Sequence, residues 1–233
     1  PFNLTSSYGL ALAHSSTYAW LSTPSGVWRA ALSPSSVDVT NDVIALSART
    51  VPSSGKIQID LRNDDGRYSD IGLPSSVYPS LNLGSEILVS LGYRTASGIE
   101  VSSGPAYWIE GWTHLSNPPS SVLRLHASDA WGLLERWKAR RQFAWAAGTK
   151  NVFQLLNFIT AWAGLEFSSF SNSDALVNHY PAFTINPGES GRSAVLRLLS
   201  KVPDVLFFRG NCGYVINLQG SYCSVYSYGM THS

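Results

Sequence analysis

Asp60, Asn63, Asp64, Asp65 and Asp70 crowd five oxygen-bearing side chains into one short stretch of the chain. Hard oxygens at that density suit a calcium ion, which takes roughly six to eight of them. The helix-flanked calcium loop does not fit, however. With Gly66 as its turn glycine, Leu61 stands where the first carboxylate is needed, and no helical pattern flanks the segment. Asn63-Asp64-Asp65-Gly66 is instead the chemistry of a tight turn, with side chains that accept hydrogen bonds from their own backbone and a glycine free to take positive φ. An ordinary turn is the expectation, and Asp60, Asp64, Asp65 and Asp70 are assigned to no cation.

Other chemistry-bearing residues read the same way. Gly188-Glu189-Ser190-Gly191 has the outline of a serine nucleophile loop, but Glu189 stands where that loop has Asp and Arg192 where it has a second glycine. Ser190 falls where a helix cap is expected, and no Gly-x-Ser-x-Gly elbow occurs. His14, His114, His126, His179 and His232 share no metal-ligand spacing. Glu100, Glu110, Glu135 and Glu166 are the carboxylates from which a glycosidase pair could be drawn, with no spacing that pairs them. No catalytic, cofactor-binding or metal-binding residue is assigned, no cofactor is expected, and the chain reads as a non-enzyme. Arg136, Lys138, Arg140 and Arg141, interleaved with Trp137 and followed by Phe143 and Trp145, could hold phosphates and stack bases. Cations at a helix end also complement its negative dipole, and this simpler reading leads, so nucleic acid is not an expected partner. Trp20, Trp28, Trp108 and Trp112 on a β-scaffold offer ring faces to sugars, which keeps a secreted glycan-binding or glycan-cleaving β-protein as the alternative function.

Composition narrows the field. Among 233 residues, 44% are hydrophobic and 12% aromatic, but only 13% are charged, about half the roughly 25% usual in soluble domains. The chain can bury a sizeable core as one or two domains, and its neutral polar surface suits an extracellular or assembled protein. A net charge of +1 gives no global pull toward nucleic acid or anionic membrane. No targeting leader is expected, and no apolar run approaches the roughly 20 residues that cross a bilayer. If the last strands turn at Gln219-Gly220, Cys223 faces Ile216 instead of Cys212, so two buried free thiols are expected.

The positioning elements follow from periodicity. Ile57, Ile59 and Leu61 alternate with Gln58, Asp60 and Arg62, the pattern of a half-buried strand. Residues 1–36 read as loops and edge strands. Residues 37–128 read as an antiparallel barrel-like domain, with strands at Val43–Leu46, Ile57–Arg62, Gly84–Tyr93, Tyr107–Thr113 and Val122–Ala127. Residues 129–233 read as an α+β domain, with helices near 130–137, 150–163 and 190–201 and strands over about 205–228 in a closing meander, its sheet either incomplete or completed by a partner. Asp129 caps the first helix, and Thr149 and Gly164 bracket the second, whose apolar face is Val152, Leu155, Leu156, Ile159 and Trp162. The fold class is therefore mainly β with an α+β second part.

Three passages resemble the tail-hub and baseplate-hub (minor tail) proteins of tailed phages, which are related to the hub of the type VI secretion spike. Ile57 to Ser69, with Leu83 to Val89 and Gly92-Tyr93 following, resembles the strand, acid-rich turn and tyrosine of minor tail proteins. Leu123 to Leu134 resembles the domain junction. Asn151 to Gly164, Pro187 to Gly191 and Leu196 to Phe208 resemble the helical part and returning strand of the second hub domain. The resemblance implies a non-enzymatic structural subunit of a virion tail or tail-like particle. It also implies a homo-oligomeric, trimeric hub ring joining the tail tube to the tip or baseplate, with tube and tip proteins as partners and no membrane.

Overall fold

The computed structural model describes residues 36–217 except 75, 91, 97, 102–103 and 118, together with 11–14, 18–23 and 26–31. Cys223, His14's side chain, His232 and the strand expected over Tyr222–Tyr228 lie outside the described residues. The protein is mainly β, with a helix-containing part followed by strands. The described residues divide into two compact units, one within Pro1–Arg49, Lys56–Ile87 and Tyr107–Ala127, the other within Thr50–Gly55, Leu88–Ala106 and Ser128–Ser233. No helix among the described residues is long and apolar enough to cross a membrane.

Near the start, β1 (Ala11–His14), β2 (Tyr18–Thr23) and β3 (Gly26–Ala31) form an antiparallel meander. Next come β4 (Val43–Val51), β5 (Ser54–Arg62), β6 (Glu86–Leu88), the hairpin β7 (Gly92–Thr95) and β8 (Gly98–Val101), then β9 (Ala106–Asn117) and β10 (Ser120–Ser128). Strands β4, β5, β10, β9 and β6 lie side by side in that order as a curled antiparallel half-barrel.

The alternation in β5 is strict, with Gly55, Ile57, Ile59 and Leu61 buried and the residues between them facing outward. Leu123, Leu125 and Ala127 of β10 extend that inner face, each large aliphatic contributing about 1.5–3 kcal/mol by leaving water. Two strands break the alternation. Ala106, Tyr107, Trp108 and Ile109 of β9 are buried in succession, so both faces of its first half are covered. All nine residues of β4 are exposed, at the edge of the sheet. The single strand expected over Gly84–Tyr93 is two strands. Gly84 N and Ile109 N bond with Ile109 O and Ser85 O at 2.8 and 2.9 Å, but Val89 N reaches Pro105 O only at 3.5 Å, where the ladder lapses before β7.

The second unit contains α1 (Ala130–Arg136), β11 (Phe143–Trp145), α2 (Val152–Trp162), β12 (Glu166–Ser171), α3 (Asp174–Asn178), β13 (Phe183–Ile185), α4 (Gly191–Leu199), β14 (Asp204–Arg209) and β15 (Cys212–Asn217). Asp129 caps α1 by accepting from Trp131 N at 3.0 Å. Its own N–H donates to Gly55 O at 2.9 Å, and a Cβ on Gly55 would stand 2.4 Å from Asp129 Oδ2, so only glycine permits this approach. The cap of α2 is Asn151, not Thr149. Asn151 and Gln154 form a reciprocal capping box, while the Thr149 hydroxyl donates to Ala146 O at 2.6 Å. Gly164, at φ 80°, ends the helix.

Val152, Leu155, Leu156 and Ile159 bury the expected face of α2 against α4, α3 and β12, but Trp162 is 55% exposed. It is the last residue of the helix, and its ring lies beyond the core against Phe143 and Phe158. The closing meander is also different. β14 and β15 form the antiparallel hairpin, and the other side of β15 is taken by β12, which pairs with it in parallel from Glu166↔Cys212 onward. β12 is fixed there by its neighbourhood. Ser173, just past it, gives both its N–H, at 2.8 Å, and its hydroxyl to the buried Asp204 at the head of β14, while its Oγ caps α3.

Gly191, the first residue of α4, is buried against α1, and an added Cβ would lie 2.9 Å from Trp137 Cε3 and 3.0 Å from Leu134 O. Helix propensity alone favours alanine there by up to about 1 kcal/mol. The clash involves backbone and overrides it. Gly191→Ala is expected to lower unfolding free energy by about 1–3 kcal/mol, measured by urea denaturation.

Candidate functional site

The acid-rich turn after β5 does not gather its oxygens toward one point. Asp60 forms a fork with Arg124 on β10, accepting from Nε at 2.8 Å and Nη2 at 2.7 Å. Asp64 accepts from Ser121 N at 2.7 Å, Asp65 from Arg67 N at 3.1 Å, and Asp70 from Gly72 N at 2.8 Å. Buried Asn63 accepts from Tyr68 N at 2.9 Å and donates to Ser69 Oγ at 2.6 Å. Each group thus holds a different part of the backbone or a different strand. Among the described residues, no cluster of three or more His, Cys, Asp and Glu could hold a metal.

Electrostatics agree with the geometry. The Arg124 hydrogen bond holds the Asp60 carboxyl below its ordinary range. Burial, then the bond to Asp42, holds the Tyr68 phenol above the ordinary tyrosine range, so it donates to Asp42 Oδ2 as a neutral group. Asp42 also meets Arg67 at 2.9 Å. Burial pushes the capping Asp129 carboxyl up, opposed by backbone hydrogen bonds from Gly55, Trp131 and Gly132.

The other candidates also fall to structural duties. Ser190 caps α4, accepting from Ser193 N at 3.2 Å, and its hydroxyl donates to Glu135 at 3.1 Å. Glu189 pairs with Arg197, whose guanidinium also reaches Thr184 O at 2.7 Å and covers the Phe183 ring. Glu135 takes Lys138 at 2.9 Å, the chief cause of its lowered pKa. Glu110 and Glu166 lie exposed on β9 and β12, and Glu100's side chain is outside the described residues. His114 Nδ1 lies 3.4 Å from Ser69 Oγ, His126 is exposed on β10, and His179 closes α3. Cys212 is partly exposed, not buried. Of the tryptophans weighed as a sugar platform, Trp108 is 5% exposed and Trp112 half-buried, while the side chains of Trp20 and Trp28 are outside the described residues. Trp108 therefore offers no face to a sugar.

Exposed aromatic surface lies elsewhere, on the second unit. Phe143 and Trp145 stand side by side on β11 with ring planes 11° apart. Phe158 meets them edge-on at 5.2 and 5.0 Å, and Trp162 lies 6.0 Å from Phe158 and from Phe143. Arg141 stacks over Phe143 at 5.2 Å. Two shallow grooves flank the Phe158–Trp162 ridge, one of about 370 Å³ beside Arg141 and Trp145, the other of about 270 Å³ beside Lys150 and Phe153. The Arg141, Phe143 and Trp145 signal was visible in the sequence as an interleaved basic-aromatic run. Its partners Phe158 and Trp162 were not, because they arrive from a helix whose pattern reads as core.

No family model matches the chain, and no curated protein matches it. Solved structures do. A component of the E. coli type VI secretion system, described as structurally similar to the T4 bacteriophage tail proteins gp27 and gp5, matches with TM-score 0.51 and 20% identity over 78% of this chain and 47% of that one. The 43 kDa tail protein of prophage MuSo2 from Shewanella oneidensis matches with TM-score 0.49 and 12% identity, over 88% and 56%. A tail protein from Neisseria meningitidis matches with TM-score 0.48 and 14% identity, over 73% and 44%. The chain thus spans about half the length of the solved structures it matches. The likeness to the type VI component shows a shared fold.

Two results are expected from this geometry. Chelator and added calcium leave the melting temperature unchanged, whereas Asn63→Ala, which orphans the buried Tyr68 N–H, costs about 1–3 kcal/mol in urea denaturation. Asp60→Asn lowers the melting temperature at pH 7. A depressed carboxyl stabilises above its unfolded pKa and loses that contribution as pH falls through the folded one, so the deficit fades below the ordinary aspartate value of 3.8. Parallel thermal melts of both proteins across pH check it.

Proposed function

We propose that this chain is a structural subunit of a phage tail or tail-like particle, one that forms a homo-oligomeric hub ring joining the tail tube to the tip or baseplate. The fold shared with the type VI component carries this reading. In it, residues 37–128 and 129–233 are the two hub domains, tube and tip proteins are the partners, and the ring is a trimer. The protein is not an enzyme on this reading, which accords with an acid-rich turn whose groups are all engaged in holding strands and backbone together.

The edges of the sheets support association. Ile44 and Leu46 project from the same face of an edge strand exposed along its whole length. Val205 and Phe207 do so from β14, which edges its own sheet. A monomer ordinarily protects such strands with charge, proline or a covering segment. Arg49 is the only charge on β4.

Light scattering and electron microscopy of the purified protein are expected to show a closed oligomer. Ile44→Lys with Leu46→Lys is expected to return it to monomers that keep their circular dichroism. A strict wild-type monomer that binds polysaccharide would overturn the hub reading in favour of a glycan-binding protein.

A further inference from the structure

We infer that the aromatic ridge on α2 and β11 is a docking site for a protein partner presenting aliphatic side chains bordered by carboxylates. This inference stands apart from ring formation, since it concerns one face of the second unit and a different chain.

Shape decides the class of occupant. Phe158 lies at 66° to Phe143 and 76° to Trp145, and Trp162 at 54° to Phe158. Phe143 and Trp145 are near parallel at 11°, but Arg141 lies over the Phe143 ring and Phe158 meets both rings edge-on, so the four rings together offer no level floor to a saccharide or a stacked run of bases. They form a knob with a groove on either side, which suits interdigitating side chains. Trp162 stands at the crest, 55% exposed at the end of its helix. Trp162 shares one groove with Arg141, and tryptophan and arginine are among the residue types enriched in interface hot spots.

Charge decides the partner's rim. Arg141 lines one groove and Lys150 the other, on either side of the shared Phe158–Trp162 ridge, and no Asp or Glu lines either. Neither cation pairs with a carboxylate among the described residues. The two cations flanking the ridge are therefore available to acidic groups brought by another chain, which would fix its register across the aromatic contact.

A peptide-display selection tests this on the 233-residue chain, with a random linear library and counter-selection on Trp162→Ala. The expected enriched peptides combine Leu, Ile or Val with Asp or Glu. Their affinity should fall about tenfold or more on Trp162→Ala and on Arg141→Glu, which leaves the ridge in place, and should weaken with added salt. Unchanged circular dichroism and melting temperature establish that both variants are folded. Absence of Trp162-dependent peptides, a basic or charge-free consensus, or Trp162-dependent binding of oligothymidylate or of members of a glycan array instead would overturn the inference. Light scattering on the same preparation separates the two proposals, since a monomer that selects acidic peptides contradicts only the ring, and a ring that selects none contradicts only the docking site.

Discussion

Asn63 is the joint on which the first unit depends. Its backbone N–H donates to Ser121 O at 2.8 Å, tying the end of β5 to the start of β10, and its carbonyl accepts from Gly66 N at 3.0 Å to close the turn. Its side chain then fixes Tyr68 N and Ser69 Oγ. That placement delivers the Tyr68 ring, fully buried, to the core and its hydroxyl to Asp42, just ahead of β4. One amide thus sets the relation of three strands. A hydrogen bond contributes only about 0.5–1.5 kcal/mol net, but orphaning its buried partner costs about 1–3 kcal/mol. Such a network is therefore stable when complete and brittle when one member is lost.

The second unit applies the same logic at helix starts. Asp129, Asn151, Ser173 and Ser190 each cap a helix, and each is also bound to something distant in sequence. Asp129 meets Gly55, Asn151 meets Val177 O, Ser173 meets Asp204, and Ser190 meets Glu135. A cap that also reaches across the fold fixes where a helix begins and what it lies against. This accounts for a unit of short elements, among them the five-residue α3 and the three-residue β11 and β13, holding a definite arrangement.

What could be read from residues alone follows from these two kinds of contact. The β5 alternation was legible because its inner face is determined by local spacing, and the same holds for Val152, Leu155, Leu156 and Ile159, the buried apolar positions of α2. The Asn63 to Gly66 turn was legible as a turn, but its use of Ser121 and Tyr68 was not, since that depends on where β10 lies. β12 left little trace, being rich in serine, and its parallel pairing with β15 is a long-range choice made through Ser173 and Asp204. Trp162 falls at the helical spacing of the apolar face, and the termination of α2 at that residue leaves it exposed. The candidate docking ridge was half legible for the same reason.

The two features with the most surface consequence, the bare β4 edge and the aromatic ridge, keep apolar side chains outside the cores of the units that carry them. A chain that keeps apolar surface outside its core makes sense as part of an assembly, where neighbours cover it. Copy number in isolated particles tests that most directly. On the proposed hub reading, quantitative mass spectrometry of purified tails or tail-like particles from the source culture is predicted to find this chain at a fixed, small whole-number ratio to the tail proteins. Its absence from particles, or a ratio that varies between preparations, would contradict the account.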